Sequence, residues 1–182
     1  TESTRPVFAS VVGGLGSLPA SVVAAFGLTV RTDTSAVALH RSAGGWSIDT
    51  HDGQTIDADR VILALPAFAA APLLATVAPV ASAAAAELEY ASVALVTAVF
   101  DAADVGAPLS GTGFLVPPVT GRLTKAATFV TRKWQWVQDA TAGREVLRFS
   151  VGRHGDERGL DLPDDELVAA VLAEVREVLG LR

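Results

Sequence analysis

The segment WSIDTHDGQTIDADRVILALP, residues 46–66, constrains the fold of this chain more than any other. Apolar and polar side chains alternate at its start, which is the period of a strand with one buried face. Asp52-Gly53 follows, where glycine supplies the positive φ that a two-residue hairpin turn needs, and residues 54–58 return as a second strand. Residues 61–65 then contain no polar side chain. This order predicts a β-hairpin that leads into a strand covered on both faces.

Residues 61–86 carry no charged side chain, so the run is long and apolar enough to imitate a membrane span. Pro66, Pro72 and Pro79 interrupt it, and prolines at this spacing would break a membrane helix. Much of the remaining apolarity is alanine. The run therefore predicts a buried strand, an alanine-rich loop and a short helix over residues 80–89.

The rest of the chain adds one short helix near the start, several strands and one long helix at the end. Before the hairpin, the sequence predicts a strand at residues 6–12, a glycine-rich turn at 13–18 and a helix at 20–26 that Gly27 terminates. Two short strands follow, at residues 29–31 and 36–41. After residue 89, four β-type segments follow without an intervening helix, at residues 90–100, 111–116, 124–131 and 145–151. Such a series predicts an antiparallel meander.

The final helix is predicted from the helical spacing of Leu167, Val171, Val175 and Val178, with acidic residues in the first turn and Gly180 at the end. Together the elements predict an α+β fold with a mixed or antiparallel sheet and flanking helices. Two parts are expected, residues 1–86 and residues 87–182, packed as one compact fragment.

Composition excludes several classes of function. The net charge is −6 and the pI is near 5.0, and no basic stripe is present, so a nucleic-acid partner is not expected. Cysteine is absent, which excludes disulfides, thiolate zinc sites and cysteine nucleophiles and makes a cytoplasmic location the default. His40, His51 and His154 are scattered without metal-ligand spacing, so no metal site is predicted.

A second motif imitates a phosphate-binding loop. Residues 14–19, GLGSLP, resemble the start of a G-x-G-x-x-G fingerprint, and Asp33 follows at a suitable distance. Proline stands where the third glycine would allow close helix packing, and the helix that follows is short for a crossover. The motif is interpreted as a glycine-rich turn, while a free-standing nucleotide-binding domain stays an alternative.

Residues 111–136 offer a more specific candidate site. Gly113 leaves room for close approach, Trp134 adds a flat aromatic surface, and Lys125, Arg132 and Lys133 could hold carboxylates. This combination suits a large, flat, apolar molecule edged with carboxylates. The competing interpretation is an edge strand protected by lysines, with tryptophans filling a core.

Several of these segments resemble one known family. Residues 46–66 resemble the flavin-contacting hairpin and strand of the amine-oxidase-like FAD superfamily. The runs PVFASVVGGLGSL, GTGFLVPP, KAATFVTRKW and VLRFSVGR are similar to the bacterial oxygen-dependent protoporphyrinogen oxidase family, whose Gram-positive-type members act as coproporphyrinogen III oxidases. The resemblance covers nearly the whole chain.

The resemblance implies an FAD-dependent oxidase of haem biosynthesis that converts a porphyrinogen to the porphyrin with oxygen as acceptor. The family's FAD-contacting valine falls on Ala36, and its apolar tetrapyrrole contacts fall near Thr112 and Leu115, with Gly113 between them. Lys125, Arg132 and Lys133 are then predicted to bind the substrate propionates. No catalytic residue is assigned, because the flavin carries the redox chemistry.

The family's N-terminal dinucleotide fold and C-terminal FAD-closing segment have no counterpart in the sequence, so we expect a central fragment that is inactive alone and keeps few FAD contacts. A peripheral membrane contact is compatible with this interpretation, and the oligomeric state is not predicted. The alternative of a different class is a non-catalytic module that binds a tetrapyrrole or another protein.

Overall fold

The computed structural model describes residues 9–106 and 108–181, and the chain divides into two units. One unit comprises Val22–Glu89, and the other comprises Thr1–Ser21 with Tyr90–Arg182. We call them the hairpin unit and the sheet unit. The predicted division after residue 86 lies close to the end of the hairpin unit, but residues 9–21 cluster with the sheet unit.

The hairpin unit contains a three-stranded antiparallel sheet in the order β1-β2-β3. The strands are β1 (Ala36–Ser42), β2 (Gly45–Thr50) and β3 (Thr55–Ala58), which confirms the strands expected at these positions. The β2–β3 turn is longer than predicted. Thr50 N–H donates to Gln54 O at 2.9 Å, which encloses three residues, and Gly53 alone among them has a positive φ of 78°. The turn therefore matches a three-residue hairpin with a terminal glycine.

The prediction of a fully buried strand at residues 61–65 is wrong. The segment forms no strand, and the side chains of Ile62 and Leu65 are 91% and 46% exposed. Val61 and Leu63, by contrast, are half-buried. The physical reason is that no strand within residues 9–106 and 108–181 pairs with this segment, so its backbone and one row of side chains stay uncovered.

The alanine-rich stretch after residue 66 is helical instead of a loop. Helix α2 (Ala67–Leu74) begins after Pro66, and Pro72 lies within it. Helix α3 (Pro79–Ala86) begins at a proline, which suits the first turn, and confirms the helix expected there. In the described part of the chain, no helix has the length and apolarity needed to cross a membrane.

Near the N-terminus, α1 (Ser17–Phe26) ends before Gly27, whose φ is 60°, so this helix and its terminator are confirmed. The strand predicted at residues 6–12 lies outside the described residues at positions 6–8, and residues 9–12 are not strand. Residues 29–31 are not strand either. Both expected strands were short apolar runs, and neither has a pairing partner among the described residues.

The sheet unit contains four antiparallel strands, β4 (Ala94–Asp101), β5 (Gly113–Leu115), β6 (Thr124–Phe129) and β7 (Arg144–Val151). Their order is β4-β7-β6-β5, so β4 lies beside the last strand and the predicted meander is wrong for β4. Two short helices, α4 (Val130–Lys133) and α5 (Gln135–Ala140), connect β6 to β7. The sequence prediction missed both, since it extended β6 to residue 131.

Helix α6 (Asp164–Leu179) covers one face of this sheet. Leu167, Val171 and Val175 are buried against strand residues such as Leu147 and Phe149, as the helical spacing predicted. Val178, the last residue of the predicted apolar row, is 49% exposed, and Leu179 is buried in the core instead. The acidic first turn and the left-handed Gly180 at the C-terminal end are confirmed. The α+β fold with flanking helices is therefore confirmed.

Candidate functional site

The sheet of the sheet unit has one face covered by the core and one open face, and the side chains of β7 point alternately to the two faces. Leu147 and Phe149 are fully buried in the core, whereas Arg148 between them is exposed. Because side chains alternate along a strand, Arg148 lies on the opposite face from the core. Strand β7 is an interior strand, so this face continues onto its neighbours on both sides.

The open face is made of small, hydroxyl and aliphatic side chains around one arginine. Three of its aliphatic members, Leu95, Val99 and Leu115, are 58%, 55% and 83% exposed. The register places Thr97 and Thr128 directly opposite Arg148 on β4 and β6. The open face comprises Leu95, Thr97, Val99, Gly113, Leu115, Ala126, Thr128, Val146, Arg148 and Ser150.

Two of the predicted substrate contacts, Gly113 and Leu115, lie on the open face, and Thr112 immediately precedes it. The carbonyl of Thr112 accepts a hydrogen bond from Phe129 N–H at 2.9 Å, which anchors the start of β5. Gly113 has a φ of 145°, and a Cβ there would overlap the carbonyl oxygen of Ala127. Glycine is therefore required for strand pairing at this position, independently of any ligand.

The three predicted carboxylate-binding cations occupy different surroundings. Lys125 is half-buried at an irregularity in the β6–β7 register. Arg132 forms an ion pair with Glu145, a buried carboxylate that also accepts a hydrogen bond from the Thr131 hydroxyl. The Lys133 ammonium lies 5.3 Å from the centre of the Trp134 ring, a cation–π distance. Arg132 is thus engaged within the protein, while Lys133 stays exposed.

A polar clamp holds the connection between β5 and β6. Arg153 donates to the carbonyl of Val116 at 2.8 Å and, at longer range, to the carbonyls of Arg122 and Thr124. Glu174 of α6 accepts the backbone N–H groups of Leu123 at 2.7 Å and of Thr124 at 2.9 Å. These bonds fix the connection that joins the two strands carrying Leu115 and Ala126.

Sequence reasoning missed Arg148, Arg153 and Glu174. For Arg148 a signal was available, because residues 145–151 were already recognised as a strand and alternation places Arg148 opposite Leu147 and Phe149. Nothing in the local sequence of Arg153 or Glu174 indicates their backbone partners, which lie far away in the chain.

The glycine-rich turn at residues 13–16 has the geometry of an ordinary turn. The carbonyl of Gly14 accepts the N–H and the hydroxyl of Ser17, at 3.2 and 2.8 Å, and Gly14 N–H donates to Val11 O at 2.9 Å. A Cβ on Gly14 would lie 3.5 Å from the Trp136 ring, so this tryptophan packs over the turn. No strand precedes it within residues 9–12, which a phosphate-binding turn of the predicted type requires.

Ala36, the predicted FAD contact, lines an apolar cavity of about 310 Å³ in the hairpin unit. The other lining residues belong to β1, β2, α2 and the segment 61–65, and none is charged or carries a hydroxyl. A second cavity of about 510 Å³ is lined by Asp57 and Asp59, whose negative charge opposes a diphosphate. The apolar cavity thus fits an apolar edge of a flavin, and neither of these two cavities offers a cationic side chain for a diphosphate.

Two local polar pairs lie at the surface, one at His40 and one in the loop that contains His154. His40 Nε2 lies 3.1 Å from an Asp49 oxygen, and the pKa of Asp49 is lowered chiefly by the Thr55 hydroxyl and then by His40. In the loop that contains His154, the Arg158 guanidinium lowers the pKa of Asp156 to about 2. No group of three or more His, Asp or Glu side chains that could hold a metal occurs in the described part of the chain.

Comparison with known sequences identifies one family across the chain. A family model described as flavin containing amine oxidoreductase matches residues 2–182. The coproporphyrinogen III oxidase of Bacillus subtilis (strain 168) is 30% identical over 100% of this chain and 38% of that protein. The protein of the same name from Mycobacterium leprae is 34% identical over 97% of this chain and 38% of that protein. The chain spans about 38% of the length of these curated relatives.

Solved structures give the same result at the level of the fold. A protein of Exiguobacterium sp. 255-15, provisionally named protoporphyrinogen oxidase, superposes with a TM-score of 0.79 at 28% identity over 97% of this chain and 38% of that one. A putrescine oxidase variant gives a TM-score of 0.72 at 17% identity over 93% of this chain, which indicates a shared fold alone.

Proposed function

The chain belongs to the flavin-containing amine oxidoreductase family, and from this premise we propose that it forms part of an FAD-dependent porphyrinogen oxidase. The observation that carries the proposal is the match, over the whole chain, to a relative named coproporphyrinogen III oxidase. The open face supports it, because a flat and mainly uncharged surface suits a planar tetrapyrrole better than a small polar amine. The bound flavin would supply the redox chemistry by accepting hydride equivalents and passing them to oxygen.

We propose that this chain contributes substrate binding. Leu95, Val99 and Leu115 provide exposed aliphatic contacts, and the clamp at Arg153 and Glu174 keeps β5 in register with β6. Exposed aliphatic groups grouped on one face are typical of a binding surface. No described side chain is required as a general acid or base in this scheme.

We further propose that these 182 residues alone neither retain FAD nor oxidise a porphyrinogen. The cavity at Ala36 lacks donors for the diphosphate, and the turn at residues 13–16 is covered by Trp136. FAD would then be held chiefly by other parts of the polypeptide, with Ala36 contacting an apolar edge. A titration of the isolated chain that showed stoichiometric FAD binding and turnover would refute this.

The test uses the complete product of the gene. Anaerobically prepared coproporphyrinogen III and protoporphyrinogen IX are each mixed with the protein in air, and porphyrin fluorescence, oxygen consumption and hydrogen peroxide are followed. Turnover of at least one substrate with peroxide release supports the proposal. A protein that binds FAD but oxidises neither porphyrinogen, while oxidising an amine, would assign it to another branch of the family.

We propose that Lys125, Arg132 and Lys133 contact the substrate propionates. Their removal by Lys125→Gln, Arg132→Gln and Lys133→Gln is expected to weaken coproporphyrin binding in the complete protein. Lys133→Gln tests the idea most cleanly, because Arg132→Gln also leaves the buried Glu145 without its cation. Unchanged dissociation constants in all three variants would rule these positions out. The substrate is coproporphyrinogen III or protoporphyrinogen IX in this proposal, and the cytoplasmic location and the peripheral membrane contact stay predictions.

A further inference from the structure

We propose that Arg148, at the centre of the open face, binds a carboxylate of the tetrapyrrole substrate and helps to set the preference for a substrate with more propionates. This inference rests on the proposed function. It concerns a residue that was not predicted to bind substrate, although it lies within the run VLRFSVGR, and it follows from the register of β7 and the charges around it.

The position of Arg148 is fixed by the sheet. It lies on an interior strand between Thr97 of β4 and Thr128 of β6, so hydrogen-bonded strands flank it on both sides. Strands in a sheet lie about 4.8 Å apart, and the register puts Gly113 of β5 in line with Arg148, so Leu115, two residues further along, lies roughly 12 Å from the Arg148 backbone. A planar macrocycle resting on the aliphatic side chains can therefore direct a peripheral carboxylate at the guanidinium.

Arg148 is not neutralised within the protein. Its side chain is exposed and forms no hydrogen bond or ion pair with any other described residue. The other arginine in this row, Arg144, lies at the strand end directly opposite Asp101. Apart from Arg144 and Asp101 at the strand ends, the side chains of this face carry no charge, so burial of the Arg148 guanidinium would be costly unless the covering group is anionic.

The charge also argues against other occupants of the open face. A second copy of this chain that covered the face by two-fold symmetry would place one Arg148 near the other, and like charges repel. A purely apolar segment would leave the guanidinium without a partner. A carboxylate matches the guanidinium fork in bidentate fashion, and the hydroxyls of Thr97 and Thr128 can donate to the same group.

The test compares Arg148→Gln with Arg144→Gln in the complete protein. Both variants remove one positive charge from the same row of the same strand. Arg148→Gln is expected to raise the KM for coproporphyrinogen III about tenfold, the effect of losing one charge-assisted hydrogen-bonded pair, with kcat changed less than about threefold. A smaller rise, about threefold, is expected for protoporphyrinogen IX, which has fewer propionates. Arg144→Gln is expected to leave both KM values unchanged.

The outcomes separate this inference from the proposed function. If the native protein oxidises porphyrinogen and the two variants have equal KM values, Arg148 does not bind substrate, although the oxidase assignment stands. If Arg148→Gln lowers the melting temperature but not the affinity, the face is covered by protein and the inference is wrong. If the native protein oxidises neither porphyrinogen, the proposed function fails. The affinity for coproporphyrin, read from tryptophan quenching, then decides whether Arg148 binds a carboxylate.

Arg148→Lys protects the test against a variant that does not fold. Lysine keeps the charge but loses the planar fork, so the KM for coproporphyrinogen III is expected to rise by about threefold. An unchanged KM in a folded Arg148→Lys protein, together with an unfolded Arg148→Gln protein, would overturn the inference.

Discussion

The sheet unit and the hairpin unit are both rich in apolar residues, but they use them differently. In the sheet unit, Leu147, Phe149 and Val171 are fully buried between β7 and α6. In the hairpin unit, Ile62 is 91% exposed and Val80 is 84% exposed. An apolar segment therefore indicates a surface whose burial is favourable. It does not indicate which element covers that surface, or whether that element belongs to the same stretch of sequence.

The helices explain much of the difference. Helix α6 is amphipathic, so it can cover the sheet with one face and meet water with the other. Helices α2 and α3 are short, consist largely of alanine and bury only Ala71 and Leu73 between them. They offer little apolar area, and they cannot cover the side chains of residues 61–65 as α6 covers β7.

The largest effect should come from truncating the core of the sheet unit. Phe149→Ala is expected to destabilise that unit by about 3–5 kcal/mol, because the side chain is fully buried and leaves a cavity. Ile62→Ala in the hairpin unit should change stability by less than about 0.5 kcal/mol. Chemical denaturation can be followed by the fluorescence of Trp134 and Trp136 for one unit and of Trp46 for the other, in variants that keep only one set.

An Ile62→Ala variant that lost as much stability as Phe149→Ala would contradict the comparison, since it would mean that residues 61–65 are covered in solution. Val96→Ala, a truncation on the edge strand β4 at 6% exposure, serves as a control that a smaller buried side chain costs less.

The same contrast explains what could be predicted from sequence. The β-hairpin and α6 were predictable because alternation, a turn glycine and helical spacing are local signals. The exposure of residues 61–65 could not be predicted, since the sequence of an uncharged run is the same whether or not a neighbouring strand pairs with it. The position of β4 beside β7 was not predictable either, because β-strand order depends on distant pairing.

For the candidate site, the residues of β5 were predicted by a family resemblance, and Arg148 could have been placed by alternation along β7. The polar clamp could not be predicted from the sequence. Glu174 lies among the helix-forming residues of α6, and its backbone partners Leu123 and Thr124 belong to a connection whose path the sequence does not reveal.

The clamp should give the second largest effect. Glu174→Ala removes the acceptor of two backbone N–H groups, so a loss of about 1–3 kcal/mol is expected in the sheet unit. Glu177→Ala is the matched control on the same helix, because Glu177 is exposed and pairs with Arg122 at the surface, where a change within about 0.5 kcal/mol is expected. Equal losses of stability in both variants, measured by urea denaturation, would show that the half-buried Glu174 carboxylate has no special role as an acceptor.

A smaller effect is expected in the hairpin turn. Gly53 has a φ of 78°, a conformation that disfavours a Cβ, so Gly53→Ala should destabilise the hairpin unit by about 1–2 kcal/mol. Gly44, in the β1–β2 turn, is not among the residues with positive φ and has open space around its Cα, so Gly44→Ala should be neutral or slightly stabilising. Trp46 fluorescence during thermal denaturation reports both variants. If Gly44→Ala lowered the stability of the hairpin unit as much as Gly53→Ala does, the observed turn geometry would be contradicted.

The smallest effect concerns surface charge, in which the two units should behave alike. The pKa of Asp156 in the sheet unit is lowered from 3.8 to about 2, first by its hydrogen bond with Arg158 and further by nearby backbone and charge interactions. Since the folded pKa lies below the unfolded one, the stabilisation from this pair is present above about pH 4 and is lost as the pH falls toward 2. Arg158→Gln should return the Asp156 pKa toward 3.8 in a carboxyl NMR titration, and an unchanged pKa would disprove the pairing.

In the hairpin unit, Thr55→Val should likewise raise the pKa of Asp49, because the Thr55 hydroxyl contributes more to lowering that pKa than His40 does. Both pairs lie at the surface, so the two units are expected to respond to these substitutions in the same way, unlike their response to truncation of apolar side chains.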